Sequence, residues 1–420
     1  MPGTDSRSQA EHSVLDVLPG RGDDLARLRT LAQGGASPVV TVVGKYNHGK
    51  SRLLNELLGD DAFEVGDKRV TVRLDQRAHN GVRWMDAPGL DADVGSEDDR
   101  HAMRAAWLES DVRLMVHAAK EGELDAAELA LLHELQADGG RTRRQTLFVL
   151  SQVDQLADDA ELENITQALR RQVSDIVLHP VSATRHRKGA TEGKRLLLEK
   201  SGIPALKTEL EAAFARVPAA RAHETALLLS DVRAELQACL ESHTARLAEL
   251  CDLQLRQQQD FETDLLALLA TLRADMLEVV NVPGPDLARV PDVSEDRFKM
   301  TPAKLERSRL QIAYSKACRA LNACLIRHGV VELPSVQQTA AVSLNSVIVA
   351  VMGISVKYRD ELRRIFCEDS GQARMMQGFS QYFELSSDRV ALAASLTATQ
   401  ADIARAGQAL AALSQLGIQG

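Results

Sequence analysis

The sequence predicts an α/β domain on a mostly parallel sheet with one antiparallel hairpin, followed by an all-α elongated helical bundle. Three observations carry that expectation. Up to about residue 216, short apolar runs alternate with helical patterns, the texture of a buried parallel sheet with covering helices. Beyond it the apolar residues step by three or four, the period of one helix face. Aromatic residues make up only 3% of the 420 residues, while Ala and Leu dominate, and both are strong helix formers.

Three parts follow in order: a helical lead-in over 1–36, the α/β domain over 37–217 and a helical stalk over 218–420. The opening MPGTDSRSQAEHS has no apolar core of a secretion signal, so a cytoplasmic protein is expected. The five cysteines (Cys239, Cys251, Cys318, Cys324, Cys367) include no C-x-x-C pair and read as reduced thiols on helices. Net charge is −9, with 21 basic against 24 acidic residues over 217–420 and 29 against 35 before them. Neither half is basic, so no nucleic-acid partner is expected.

Val39–Val43, Val112–His117, Thr146–Ser151 and Ile176–Val181 read as buried parallel strands. Thr71–His79 and Val82–Asp86 flank Asn80-Gly81, a strong hairpin signal because both turn positions take positive φ. Val217-Pro218 is expected to stop the helix that contains Leu206–Phe214. Then Leu228, Val232, Leu236, Leu240, His243, Leu247 and Leu250 share a stripe. It resumes after Gln257–Gln259 at Phe261, Leu265, Leu268, Leu272, Met276 and Val279. One long helix or two end to end would span roughly 90 Å. His243 reads as a packed histidine on this stripe.

Between the first strand and the helix Arg52–Leu58 lies Gly44-Lys45-Tyr46-Asn47-His48-Gly49-Lys50-Ser51. This is G-x-x-x-x-G-K-S in the strand–loop–helix setting of a phosphate-binding loop. Gly44 and Gly49 let backbone amides curl around a β-phosphate. Lys50 reaches the β- and γ-phosphates, and the Ser51 hydroxyl faces Mg²⁺. Lys45, Asn47, His48 and Arg52 complete the predicted nucleotide-contacting set.

Four further elements follow at strand ends. Thr71 stands where a switch threonine meets Mg²⁺ and the γ-phosphate. Asp86-Ala87-Pro88-Gly89 offers Asp86 to Mg²⁺ through water and the Gly89 amide to the γ-phosphate. In Ser151-Gln152-Val153-Asp154, the Asp154 carboxylate can accept from guanine N1–H and N2–H₂, donors that adenine lacks. Ser182 and Ala183, in Val181-Ser182-Ala183-Thr184, can meet guanine O6 through their amides. Together these predict binding of GTP or GDP with Mg²⁺, with Lys50, Thr71 and Gly89 closest to the chemistry and Ser51, Thr71 and Asp86 around the metal.

Over 38–216 these motifs resemble the Era-like and dynamin-like P-loop GTPases. The run G-x-[YF]-N-x-G-K-S-x-L-L-N-x-L-L-G is similar to bacterial dynamin-like proteins, and the labile-enterotoxin-output type is the nearest relative the architecture suggests. The resemblance implies a GTPase domain (α/β P-loop GTPase fold), self-association of G domains into a dimer or oligomer, and long helices that carry nucleotide-linked movement. Several residues depart from the pattern: His48 before Gly49, Arg52 after Ser51, Ser151 and Gln152 where Asn or Thr and Lys are usual, and no glutamine after Gly89. A water-orienting group must come from elsewhere or from a second molecule. Lys45, Asn47 and His48 are candidates by position; otherwise they shape the loop. Slow hydrolysis, accelerated by self-association, is expected. The acids Asp91, Asp93, Glu97, Asp98 and Asp99 read as a solvated switch loop.

From Leu333 to Val356 there is no charge, and Lys357, Arg359, Arg363 and Arg364 follow. Ala340–Val356 is open to three readings: a spanning helix, a membrane-inserting tip with basic flanks, or a buried helix of the bundle. Peripheral association at the inner face of the cytoplasmic membrane follows from the second. Three functions stay in play. The first is a dynamin-like GTPase acting near a membrane. The second is an Era-like switch docking a protein or ribosomal partner, and the third is a GTP-binding scaffold with little hydrolysis.

Overall fold

A computed structural model describes residues 3–33, 35, 37–64, 75–86, 107–174, 176–294, 298–331 and 344–417. Thr71, Gly89 and the acidic run 91–99 lie outside them, as do residues 340–343. The chain divides into two compact units, Met1–Gln237 with Gln408–Gly420, and Ala238–Gly407.

In the first unit, helices α1 (Gly3–Val17) and α2 (Gly22–Gln33) precede β1 (Val39–Val43), α3 (Lys50–Leu58), β2 (Asp75–His79) and β3 (Val82–Asp86). Then come β4 (Val112–Ala118), α4 (Ala126–Thr142), β5 (Gln145–Ser151), α5 (Asp159–Gln172), β6 (Leu178–Pro180), α6 (Ala183–Glu192) and α7 (Arg195–Glu199). The strand order is β2-β3-β1-β4-β5-β6. All neighbours are parallel except β2 and β3, which pair Asp75 with Asp86 and His79 with Val82. Asn80 and Gly81 turn that hairpin with φ of 49° and 74°, as the dipeptide predicts.

The pleat sorts the strands' side chains onto two cores. Val40, Val42, Val112, Leu114 and Val116 pack with Leu53, Leu54 and Leu57 of α3 and with Ile203 and Leu206, which follow α7 in the chain. Val43, Met115, Phe148 and Leu150 pack with Leu131, Leu132, Leu135 and Leu169. The odd residues of β4 therefore face α4, which puts His117 on that side.

Helix α8 runs Ile203–Val280 without a break and contains Pro218. The expected stop at Val217-Pro218 is thus corrected. A mid-helix proline forfeits one hydrogen bond and crowds the carbonyl four residues back. Here Ala213 and Val217 before it and Ala220 and Glu224 after it are all buried, so packing on both sides outweighs the local cost. The Gln257–Gln259 stretch does not interrupt the helix either.

The second unit adds α9 (Pro302–Arg327), α10 (Leu344–Met352), α11 (Arg359–Leu362), α12 (Asp369–Glu384) and α13 (Ser387–Gly417), the last shared with the first unit. Its core joins Phe261, Leu265, Leu269, Leu272 and Met276 to Leu310, Tyr314, Leu321, Phe366, Phe379 and Phe383. Val347, Ile348, Val351 and Met352 of α10, and Val356 beyond it, belong to this core, whereas Val349 and Ile354 are 43% and 82% exposed. Among the described residues no helix is long and apolar enough to cross a membrane.

Candidate nucleotide-binding site

The loops that follow β1, β5 and β6, and Asp86 at the end of β3, lie at the carboxyl ends of their strands, where open parallel sheets bind ligands. The loop after β1 starts at Gly44, with φ of 146°. A Cβ there would stand 2.2 Å from the Val116 carbonyl oxygen, so the loop presses against β4 closely enough to demand glycine. Gly49, at φ 84°, is the residue before α3, and the α3 amides open toward the loop.

Lys50 is buried, and its ammonium donates to the Gly44 and Lys45 carbonyls at 2.9 and 2.8 Å. Those carbonyls thereby face the lysine. Because a trans peptide points its N–H opposite its C=O, the following amides point the other way. Ser51 Oγ donates to Asp86 Oδ2 at 2.5 Å. Asp86 is 2% exposed, and its second oxygen, Oδ1, has no partner among the described residues. Burial pushes this carboxyl above the usual range, against the Ser51 hydrogen bond and the Lys50 charge. A hydroxyl beside a buried carboxylate with one unsatisfied oxygen is a hard-oxygen donor set that fits Mg²⁺. That ion takes few protein ligands and keeps waters and phosphate oxygens.

The residues predicted to meet the base lie on two neighbouring loops. Asp154 Oδ1 accepts from Ser182 Oγ at 2.6 Å, and Ser182, fully buried, caps α6 by accepting from the Arg185 amide at 3.0 Å. Ala183 opens that helix. Gln152, at φ 59°, sends Nε2 to the Asn47 carbonyl at 2.6 Å. It thus ties the loop after β5 to the phosphate loop. Arg52 is exposed on α3.

The structure also brings Lys45 and His48 together with His117, Asp125 and Glu128, three groups that the sequence did not single out. His48, 3% exposed, points under the loop; its Nδ1 lies 3.3 Å from the Val116 carbonyl and 3.5 Å from Glu128 Oε1. His117 Nδ1 lies 2.8 Å from the same Oε1, and its Nε2 is 3.1 Å from the Gly122 carbonyl. Lys45 is ion-paired to Asp125, the residue that caps α4, and is 3.7 Å from Glu128 Oε2. Burial holds His48 below the ordinary imidazole value. Burial works to raise Glu128, yet its bond to His117 prevails and keeps it low. The His48 ring is therefore packed against Val116 and Glu128, and Lys45 is engaged by two carboxylates. The signal available in the sequence was His48 itself, since a histidine beneath such a loop needs a buried partner.

Residues 39–152 match the family described as 50S ribosome-binding GTPase. An uncharacterized protein of Acinetobacter baylyi is 48% identical over 403 residues, covering 96% of both chains. GTPase Era of Bordetella pertussis is 29% identical over 152 residues, 35% of this chain. The chain spans half the length of that Era. Among solved structures, an oligomerised bacterial dynamin pair described as sensing and tethering membranes aligns over 99% of this chain and 74% of its own. The TM-score is 0.37 and the identity 15%.

Proposed function

We propose that this chain, which belongs to one family with the Acinetobacter baylyi protein over 96% of its length and carries an N-terminal P-loop GTPase domain, binds GTP with Mg²⁺ and hydrolyses it, coupling nucleotide state to movement of its helices in a dynamin-like manner. The observation that supports this best is the meeting, at one loop, of the Lys50 ammonium, the Ser51 hydroxyl and the unsatisfied oxygen of buried Asp86. Bound Mg²⁺ would neutralise charge that develops on the β- and γ-phosphates. Ser51 and Asp86 hold it, and Lys50 turns from the two carbonyls to the phosphates. Asp154, steadied by Ser182, accepts from the guanine edge, and the Ala183 amide faces O6; the predicted Ser182 amide does not, because it is given to the Ser201 carbonyl at 2.8 Å. Thr71 and Gly89 are proposed to close on the γ-phosphate from the switch segments.

Coupling is supported by α8, which supplies core residues to both units. Its first turn is fastened to the base side: Gly202, at φ 74°, sits where a Cβ would be 1.9 Å from the Pro180 carbonyl oxygen, and Ser182 donates its amide to Ser201 at 2.8 Å. Self-association through the G domain would supply the water-orienting group. Contact with a membrane surface, in this reading, falls to the exposed residues near the end of α10. A switch of the Era-like class, acting on a protein or ribosomal partner, is the second reading. It is favoured by the inward packing of Val347, Ile348, Val351 and Met352.

The test is a titration of GTP against ATP on wild type and Lys50→Ala, followed by turnover as a function of protein concentration. Loss of GTP binding in the variant and turnover that climbs with concentration are expected. A variant that binds GTP like wild type removes the site from this loop. Turnover that stays flat with concentration, but rises with an added partner, selects the second reading.

A further inference from the structure

Glu128 is 1% exposed, although the third position of a helix ordinarily keeps its acid in solvent. Each of its oxygens has a distinct job. Oε2 accepts from the Asp125 amide at 3.3 Å, completing the capping box at the start of α4, and lies 3.7 Å from the Lys45 ammonium. Oε1 faces His117 Nδ1 at 2.8 Å and His48 Nδ1 at 3.5 Å. The Gly122 carbonyl can only accept, so His117 Nε2 carries a hydrogen. A neutral ring would then leave a bare Nδ1 against a carboxylate oxygen, and a proton must lie between them. The same logic assigns a hydrogen to His48 Nδ1, which faces the Val116 carbonyl.

His48, His117 and Glu128 are near enough to be weighed as metal ligands. However, His48 Nδ1 is already committed as a donor, and the shared proton fills the remaining gap. The cluster reads instead as a keel under the phosphate loop. It holds two loop residues, Lys45 by charge and His48 by its ring. The His48 carbonyl is held in addition, accepting from Ser151 Oγ at 2.6 Å. With that carbonyl turned to Ser151, the planar peptide aims the Gly49 N–H the opposite way, into the loop.

We infer that Glu128 is a positioning residue for nucleotide binding, acting through a proton shared with His117 and through Lys45 to hold the phosphate loop in its ligand-ready form. The inference rests on the nucleotide-binding reading. Glu128 touches no phosphate, so its removal should weaken affinity and leave turnover of bound GTP alone.

The experiment uses the full chain with a fluorescent GDP analogue, GTP turnover at saturation and ring-nitrogen NMR of ¹⁵N-histidine protein, comparing wild type with Glu128→Gln. The variant keeps shape but loses the charge. It should bind GDP about tenfold more weakly, the scale of one charge-assisted hydrogen bond, with saturated turnover within about twofold. One buried histidine should show hydrogens on both ring nitrogens in wild type and lose one in the variant, which a packing role alone would not produce. A folded Glu128→Gln that binds GDP like wild type overturns the inference while the GTPase reading stands. Wild type that binds no GDP overturns both. Should Glu128→Gln fail to fold, Asp125→Asn decides, since asparagine caps a helix as well as aspartate but takes from Lys45 the closer of its two carboxylates, leaving Glu128 Oε2 at 3.7 Å. Its GDP affinity should fall about threefold, a fraction of one ion pair, and an unchanged value overturns the inference.

Discussion

The two units bury different kinds of group. In the first, Arg27, Asp86, Asp111, Arg113, His117, Glu128, Arg144 and Glu224 are each at most 8% exposed. Glu224 of α8 alone takes Arg27 at 3.0 and 2.8 Å and Arg144 at 3.0 Å. The same two arginines donate to the Leu108 and Trp107 carbonyls at 2.9 and 2.6 Å, the chain that leads into β4. In the second unit the buried charged residues among those described are Glu306 and Arg359. Its centre is apolar, with Phe261 stacked on Phe383 at 4.2 Å between centroids. Burying an ion costs several kcal/mol unless it is well paired. A chain tolerates that cost where direction matters, and a phosphate loop and its scaffold need direction. Helices that pack by stripes need only area.

The largest effect should separate the units on this ground. Glu224→Gln takes the nearest anion from two buried guanidinium groups, leaving Arg27 with Asp111 at 3.4 Å and Arg144 with Asp138 at 3.9 Å, and should destabilise by about 3–5 kcal/mol. In the second unit Glu306→Gln should cost less, about 1–3 kcal/mol. There Glu306 serves Arg359 at 2.6 Å and the part-exposed Arg309 at 2.7 Å. Arg359 keeps the Val282 carbonyl at 2.9 Å after the change. Urea unfolding of the full chain measures both. Equal costs would break the contrast between the units.

Next comes a change of volume rather than charge. Leu321 is fully buried in the apolar cluster of the second unit. Leu321→Ala should cost about 2–5 kcal/mol through lost burial and the cavity left behind. Fluorescent-GDP affinity measured below the unfolding transition should not move, because the apolar unit supplies none of the site's groups. A loss of affinity would mean that the two kinds of interior are coupled more tightly than their composition implies.

The contrast also explains what could be read from the sequence. The loop from Gly44 to Ser51, the hairpin at Asn80-Gly81 and the strands were legible because each signal is local, a spacing of a few residues beside an apolar run. The pairing that serves His48 was not, since His117 and Glu128 arrive from the far end of β4 and the start of α4. The continuity of α8 through Pro218 was hidden for the same reason. A proline is a local stop signal, while the packing of Ala213, Val217 and Ala220 that overrides it is tertiary. In the helical unit, periodicity reveals that a face is buried but not by what, so the run at 340–356 left three readings open. The inward packing of Val347, Ile348, Val351 and Met352 narrows them.

That run also holds the smallest effect. Val351 is 7% exposed, and its methyls lie where a Cβ on Gly378 would approach to 3.0 Å, so α12 packs closely on α10 there. An aspartate at 351 would bury a carboxylate without a partner and report on folding, whatever the segment touches. Val349 is different: it is 43% exposed, and Val349→Asp should change stability by less than about 0.5 kcal/mol. It therefore tests a surface role without disturbing the core. If wild type co-sediments with anionic liposomes in the presence of a non-hydrolysable GTP analogue and folded Val349→Asp does not, the exposed edge of α10 meets lipid. If both remain in the supernatant, the helix serves only its own core, and the nucleotide-driven movement has to be read out by a protein.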